Sequence, residues 1–112
     1  MLAKTSEDVQ NQIVNVVKDF IKKDVDPIAS TYEQEDIYPH ELIPTMKELG
    51  LFGITIPEEY GGMGLDFTTF AKIFEEISKG WMSLSGIIGT HHILSHVIAT
   101  YGTEEQKNRM LP

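Results

Sequence analysis

The sequence predicts an all-α fold, a bundle of four to five helices that forms a single domain over residues 1–112. Apolar residues recur at helical spacing in several segments, which is the pattern of amphipathic helices. Capping residues stand at the start of these segments and glycines at the end. A composition of 41% hydrophobic and 23% charged residues is typical of one globular domain with a modest core. We expect negligible β content, with Phe52–Ile56 as the one ambiguous stretch.

The first helix is predicted to start at Thr5 or Ser6, because both side chains are good N-caps. Pro27 interrupts it, since proline removes a backbone donor and disfavours helix at the residue before it. The helix therefore either stops there or continues past a kink. The apolar stripe of the first helix consists of Val9, Ile13, Val16, Val17 and Phe20.

Pro39 is the predicted first residue of the second helix, where its missing N–H costs nothing. Gly50 is the predicted stop. The glycine cluster Gly61–Gly64 fits neither the dinucleotide-binding nor the Walker pattern, so we interpret it as a tight connection and not as a phosphate cradle. The inner face of the second helix is predicted to be Leu42, Ile43, Met46 and Leu49.

Asp66 is predicted to cap the third helix, and Gly80 to close it. Its inner face is predicted to be Phe67, Phe70, Ala71, Phe74 and Ile77.

The fourth helix is predicted to run from about Met82 to Tyr101 and to stop at Gly102. It lies in a stretch without Asp, Glu, Lys or Arg, Trp81–Thr103, which is long enough to cross a bilayer. Three histidines and several Ser, Thr and Gly residues are costly in lipid, so we expect a helix buried among other helices and no membrane contact.

A capping box opens the fifth helix, with Thr103 as N-cap and Gln106 as its reciprocal partner. This helix reaches only Pro112. A domain boundary rarely falls two turns into a new helix, so we expect the chain to be cut from a longer protein at the start of the following segment.

The charge balance argues against several classes of function. Nine basic and seventeen acidic residues give a net charge of −8 without a basic stripe, so we expect no nucleic-acid partner. Arg109 is the only arginine, so phosphate groups of a cofactor are expected to be bound elsewhere. The absence of cysteine excludes disulfides and fits a reducing compartment. With no apolar leader visible, a cytoplasmic location is the default expectation.

No catalytic cluster is evident. His92 and His96 have the spacing of a metal site on a helix, but Ile93 stands where a metalloprotease carries its glutamate, and no third ligand is apparent. We expect these histidines to form hydrogen bonds in the core or to line a cavity wall. The nearby serines lack a positioned base, and we predict no metal and no nucleophile.

Several motifs resemble the N-terminal domain of the acyl-CoA dehydrogenases. One is the run IPEEYGGMGLD, Ile56–Asp66, followed by Glu75–Ile77. Another is YGTEEQK, Tyr101–Lys107, with Leu111–Pro112 after it, and the upstream run Glu48–Gly53 also matches. The resemblance spans nearly the whole chain in register.

The resemblance implies a three-domain, FAD-dependent enzyme that oxidises an acyl-CoA thioester at Cα–Cβ and passes electrons to an electron-transferring flavoprotein. Such enzymes are usually homotetramers. Their flavin site and catalytic glutamate belong chiefly to the other two domains. We therefore expect the chain to be inactive alone and to contain no catalytic or cofactor-binding residue, with FAD present only in the full-length enzyme.

The resemblance also implies that the fourth helix lines the acyl chain. The residues that match this pocket wall are Ser85, Gly86, Gly89, Thr90 and Ile93. Small residues there leave room for a longer, branched or ring-bearing acyl group. An alternative is that Gly86 and Gly89 simply permit close helix packing. At the level of function, the alternative is a free-standing helical interaction module without enzymatic activity.

Overall fold

The computed structural model describes residues 4–112, and every regular element in this part of the chain is helical. A π-helical turn, Ile21–Val25, joins the first two helices into one rod, and a 3-10 turn spans Glu58–Tyr60. Counting that rod once gives five helical units, so the predicted all-α fold is confirmed. The six α-helices are α1 (Glu7–Phe20), α2 (Asp26–Glu35), α3 (Leu42–Glu48), α4 (Phe67–Gly80), α5 (Met82–Tyr101) and α6 (Glu104–Met110).

The first rod continues through Pro27 and does not stop there. Ser6 caps α1 by accepting a hydrogen bond from the Val9 amide at 3.3 Å. Pro27 stands in the first turn of α2, directly after the π-helical turn. A proline ring clashes with the carbonyl four residues earlier, and a wider π turn relieves such a clash. Of the two predicted outcomes, the structure shows the continuing helix.

The predicted start of α3 at Pro39 is wrong by three residues. The Pro39 carbonyl accepts from the Leu42 amide at 3.1 Å, so the proline opens a turn ahead of the helix. Asp36, in the left-handed region with φ 57°, ends α2 immediately upstream and fixes the path of this turn. The predicted stop is confirmed, because Gly50 follows α3 with φ 78°.

The segment between α3 and α4 is irregular but well anchored. The Gly53 carbonyl accepts from the Met63 amide at 2.8 Å, and the Ile54 carbonyl accepts from the Leu65 amide at 2.9 Å. Within residues 4–112 it contains no strand. A Cβ atom on Gly62 would lie 2.1 Å from the Ile56 carbonyl oxygen, so the glycine cluster is a close-packed connection, as predicted.

The core is formed where α1, the π-helical turn, α4 and α5 meet. From α4 it takes Thr69, Ile73 and Ile77, each completely buried. The predicted inner face of α4 is therefore partly wrong: Phe67 is 56% exposed and Ala71 is also exposed. The sequence pattern merged two apolar faces of this helix, of which only one points into the core.

Asp66 connects the start of α4 to the N-terminal segment. Its carboxylate accepts from the Thr69 hydroxyl at 2.5 Å, the Thr69 amide at 2.9 Å and the Thr5 amide at 3.0 Å. The Asp66 amide in turn donates to the Thr5 hydroxyl at 3.1 Å. These donors, the Thr69 hydroxyl first, lower the pKa of Asp66 to about 2. The predicted cap is confirmed, and it fixes α4 against the chain that leads into α1.

Candidate functional site

An uncharged groove of about 430 Å³ lies between α4 and α5. It is open to solvent along one side, and none of its lining residues is Asp, Glu, Lys or Arg. Such an apolar concavity is the usual form of a small-molecule site. The lining residues are Thr55, Phe67, Phe70, Phe74, Gly89, His92, Ile93, His96 and Val97.

The wall from α4 is aromatic. Phe67, Phe70 and Phe74 follow one another at helical spacing, and each reaches across to α5. The rings of Phe67 and His96 pack edge to face with centroids 5.7 Å apart. Those of Phe70 and His92 lie 4.9 Å apart, and those of Phe70 and Phe74 lie 5.7 Å apart. Packed rings of this kind form a firm surface.

On α5, glycine sets how closely the aromatic wall approaches. A Cβ atom built on Gly89 would lie 3.1 Å from Cε2 and 3.4 Å from Cζ of Phe74. At Gly86, by contrast, a Cβ atom would meet no neighbouring atom within 4 Å. Close helix packing therefore accounts for Gly89 in part, but it gives no reason for glycine at position 86.

The structure separates the five sequence-predicted site residues. Gly89 and Ile93 line the groove, and Ile93 is 71% exposed. Gly86 and Thr90 are exposed on the same side of α5 but outside the groove lining, and the Thr90 hydroxyl donates to the Gly86 carbonyl at 2.8 Å. Ser85 is 3% exposed, and its hydroxyl donates to the Met82 carbonyl at 2.5 Å, so it packs in the core.

Sequence reasoning missed the other half of the site. Thr55 and Val97 were not singled out, and the three phenylalanines were assigned to the core. The signal for the phenylalanines was present, since α4 carries two apolar series that cannot both face one neighbour. What the pattern could not tell is which series faces inward.

His92 is held as a neutral imidazole. Its Nδ1–H donates to the Ile88 carbonyl at 2.9 Å, and its Nε2 accepts from the Ile54 amide at 3.2 Å. Burial lowers the pKa of this imidazole. The predicted core hydrogen bonding is confirmed for His92, and His96 lines the groove wall. In residues 4–112, no three His, Cys, Asp or Glu side chains are grouped as a metal site requires.

Two features that could bind the phosphates of FAD are already engaged within the chain. Arg109 donates through Nε to Glu105 at 2.8 Å, so its charge is already paired. Gly62 packs on Ile56, which leaves that turn closed to a phosphate. We therefore assign this chain no step that passes through a flavin. Nor does any helix in residues 4–112 combine the length and apolarity needed to cross a membrane.

Together, the helical fold and the uncharged groove define a helical domain with an apolar groove on its surface. The model of the family described as "Acyl-CoA dehydrogenase, N-terminal domain" matches residues 7–112. The chain therefore belongs to the acyl-CoA dehydrogenase family, as its N-terminal domain.

Relatives agree with this assignment. An acyl-CoA dehydrogenase of Bacillus subtilis is 35% identical over 106 residues, which cover 92% of this chain and 28% of the relative. The human mitochondrial short-chain specific acyl-CoA dehydrogenase is 34% identical over 101 residues, which cover 89% of this chain and 24% of that enzyme. The chain thus spans about a quarter of the length of the curated relatives it matches.

A solved structure shows the same fold. This is the structure of the electron transferring flavoprotein of Acidaminococcus fermentans, which was studied for the mechanism of flavin-based electron bifurcation. One of its chains is 36% identical and superimposes with a TM-score of 0.75 over 99% of this chain and 29% of its own length.

Proposed function

We propose that the chain is the N-terminal domain of an FAD-dependent acyl-CoA dehydrogenase and supplies one wall of its acyl pocket. The observation that carries the proposal is the uncharged groove between α4 and α5, lined by Gly89 and Ile93 of the helix that matches the family's pocket wall. The chain spans only about a quarter of the length of its relatives, which supports the proposal that it is one domain of a larger enzyme. The chain alone is expected to be inactive.

The groove would bind the hydrocarbon part of a thioester. Its phenylalanine rings and Ile93 bury CH₂ groups and exclude water, which favours binding by about 0.8 kcal/mol per buried CH₂ group. Such binding orients the thioester and leaves the reacting carbons outside this wall. The other domains of such an enzyme would hold FAD, which would supply the oxidising power for the Cα–Cβ dehydrogenation.

The proposal extends to the oligomeric state, the location and the electron acceptor of the enzyme. We propose that the enzyme is a homotetramer in the cytoplasm and passes its electrons to an electron-transferring flavoprotein. The structural neighbour supports the last partner, because it comes from the structure of an electron transferring flavoprotein. A cysteine-free sequence supports a reducing compartment.

Flavin reduction tests the activity directly. The complete enzyme that carries this domain is mixed anaerobically with butyryl-, octanoyl- and dodecanoyl-CoA, and flavin absorbance is followed. We expect bleaching with at least one thioester and electron transfer to an added electron-transferring flavoprotein. If no acyl-CoA of any length or branching reduces the flavin, the dehydrogenase proposal fails.

The groove is tested by placing a charge in it. Gly89→Glu introduces a carboxylate into an uncharged wall, and Thr68→Glu adds the same group on the exposed side of α4 as a control. We expect Gly89→Glu to lower the dodecanoyl-to-butyryl ratio of kcat/KM by roughly tenfold or more, the scale of losing a methylene-sized contact. An unchanged ratio, or an equal change in the control, would contradict the pocket wall.

A second candidate function is a free-standing helical interaction module. Several apolar side chains on α5 are uncovered, with Leu94 59% and Tyr101 81% exposed, and such patches often bind proteins. This alternative expects the chain to self-associate in sedimentation experiments, and no acyl-CoA to reduce any flavin bound to it. The bleaching experiment therefore separates the two functions.

A further inference from the structure

Phe74 stands at one end of the groove. α4 and α5 are antiparallel along it, so Phe67 faces His96, Phe70 faces His92, and Phe74 faces Gly89. No lining residue lies beyond the Phe74–Gly89 pair. One turn further on, Ile77 is completely buried in the core. The groove thus runs from Phe67 to Phe74 and ends there.

The ring of Phe74 also separates the groove from free space on α5. At Gly86, one turn before Gly89, a Cβ atom would meet no neighbouring atom within 4 Å. Nothing at that position closes the helix surface. Gly89 stands between this position and the rest of the groove, and there the Phe74 ring lies 3.1 Å from where a Cβ atom would be.

The other two phenylalanines are less suited to set the depth. Phe70 packs between Phe74 and His92, so it forms the side of the groove. Phe67 lies at the opposite end and is 56% exposed. Only Phe74 closes the end at which a bound hydrocarbon chain would terminate.

We propose that Phe74 is a specificity-determining residue, which together with Gly89 sets the length of acyl chain that the groove accepts. The inference rests on the proposed function, since it takes the hydrocarbon of an acyl-CoA as the occupant. Phe74 touches the end of the acyl chain and takes no part in bond breaking. Its size, and the space that glycine leaves for it, fix the depth.

The test compares Phe74→Ala with Phe52→Ala in the complete flavoprotein. Phe52 is also partly buried but packs on His91, outside the groove lining, so its variant removes the same atoms elsewhere. We expect Phe74→Ala to raise the dodecanoyl-to-butyryl ratio of kcat/KM by about tenfold, and Phe52→Ala to leave it within about twofold. Equal ratios in the two variants would overturn the proposal.

A size exchange with Gly89 provides an independent readout. Gly89→Leu forces a side chain against Phe74 and fills the end of the groove, so kcat/KM for dodecanoyl-CoA should fall by roughly tenfold. In the Phe74→Ala background the leucine has room, and kcat/KM for dodecanoyl-CoA should recover to within about threefold of wild type. If the two substitutions act independently, the double variant will be as slow as Gly89→Leu alone. That result would contradict the proposal that Phe74 and Gly89 set the depth together.

Two measurements keep the failures distinguishable. Flavin content and thermal unfolding report whether Phe74→Ala is folded. If Phe74→Ala does not fold, the milder variant Phe74→Leu replaces it, and we expect it to shift the dodecanoyl-to-butyryl ratio in the same direction. A wild-type enzyme that no acyl-CoA reduces overturns the proposed function itself. A wild-type enzyme that turns over normally, with ratios unchanged in both Phe74 variants, overturns only the role of Phe74.

Discussion

The two sides of α5 differ sharply although the helix carries no Asp, Glu, Lys or Arg. On the inner side, Leu84 and Ile88 are at most 1% exposed, and His92 is 6% exposed. On the outer side, Ile93 is 71% and Leu94 59% exposed. An uncharged helix is usually buried all round. Here burial is complete on one side only, so the predicted helix buried among other helices is wrong for the outer side.

This difference predicts that stability and ligand binding depend on opposite sides of one helix. Inner residues pack at interior density, where each lost methyl group leaves a cavity. On the outer side, Ile93 lines the groove, where a neighbouring domain or a ligand can cover it. Substitutions on the inner side should therefore change folding, and those on the outer side should change binding.

The largest effect should come from the matched pair Ile88→Ala and Ile93→Ala. Ile88 is 1% exposed and Ile93 is 71% exposed, on the same helix and with the same side chain. Ile88→Ala should lower the free energy of unfolding by about 2–5 kcal/mol through lost burial and a cavity. Ile93→Ala should change it by no more than about 0.5 kcal/mol. Urea unfolding of the chain measures both.

Equal losses in this pair would show that the outer side is covered in solution, for instance by a second copy of the chain. Repeating the measurement at several protein concentrations identifies that case, because a dimer gains stability with concentration and a monomer does not.

An intermediate effect is expected at His92. His92→Phe keeps a ring of similar size but leaves the Ile54 amide without its acceptor, which should cost about 1–3 kcal/mol. Phe cannot be protonated, so the variant should also lose a pH dependence that the wild type shows. Urea midpoints at about pH 7.5 and about pH 5 test both effects.

The sign of this pH dependence follows from the lowered pKa of His92. Unfolded, the imidazole titrates near its ordinary value of 6.5, and in the fold burial holds its pKa below that. The contribution to stability is complete above the unfolded pKa and is lost as pH falls towards the folded one. Asp66, with a pKa of about 2, titrates far below this window. His96→Phe, in the groove wall, should keep the dependence, and its disappearance there would contradict the role of His92.

Local chemistry made most of the helices predictable. The capping box is present as predicted, with the Thr103 hydroxyl accepting from the Gln106 amide at 3.2 Å and the reciprocal bond at 2.9 Å. Asp66 and Gly102 likewise bound their helices where the sequence placed them. These features depend on residues within one turn of each other. The predicted helix start at Pro39 was wrong because proline, which lacks an N–H and has a fixed φ, suits the start of a turn as well as the start of a helix.

The site was predictable only in part, because a groove is made by two helices. Resemblance to a known family singled out Gly89 and Ile93, which line the groove, and Ser85, which lies in the core. Their role in a pocket wall stays a prediction. Phe74 could not be found this way. Its role depends on which residue of α5 it faces, and that register is set by the packing of the core and not by any local pattern.

The smallest predicted effect distinguishes Gly86→Ala from Gly89→Ala. Both glycines lie inside α5, where alanine favours helix by about 0.5–1 kcal/mol. Gly86→Ala should raise the free energy of unfolding by that amount, because the added methyl group would meet no neighbouring atom within 4 Å. Gly89→Ala should gain less or nothing, since its methyl group would lie 3.1 Å from Phe74 and the ring must shift. Urea unfolding resolves the two, and Gly89→Ala made in a Phe74→Ala background should gain as much as Gly86→Ala. Equal gains at positions 86 and 89 with Phe74 intact would mean that the ring does not lie against Gly89, and the depth of the groove would then have to be set by another residue.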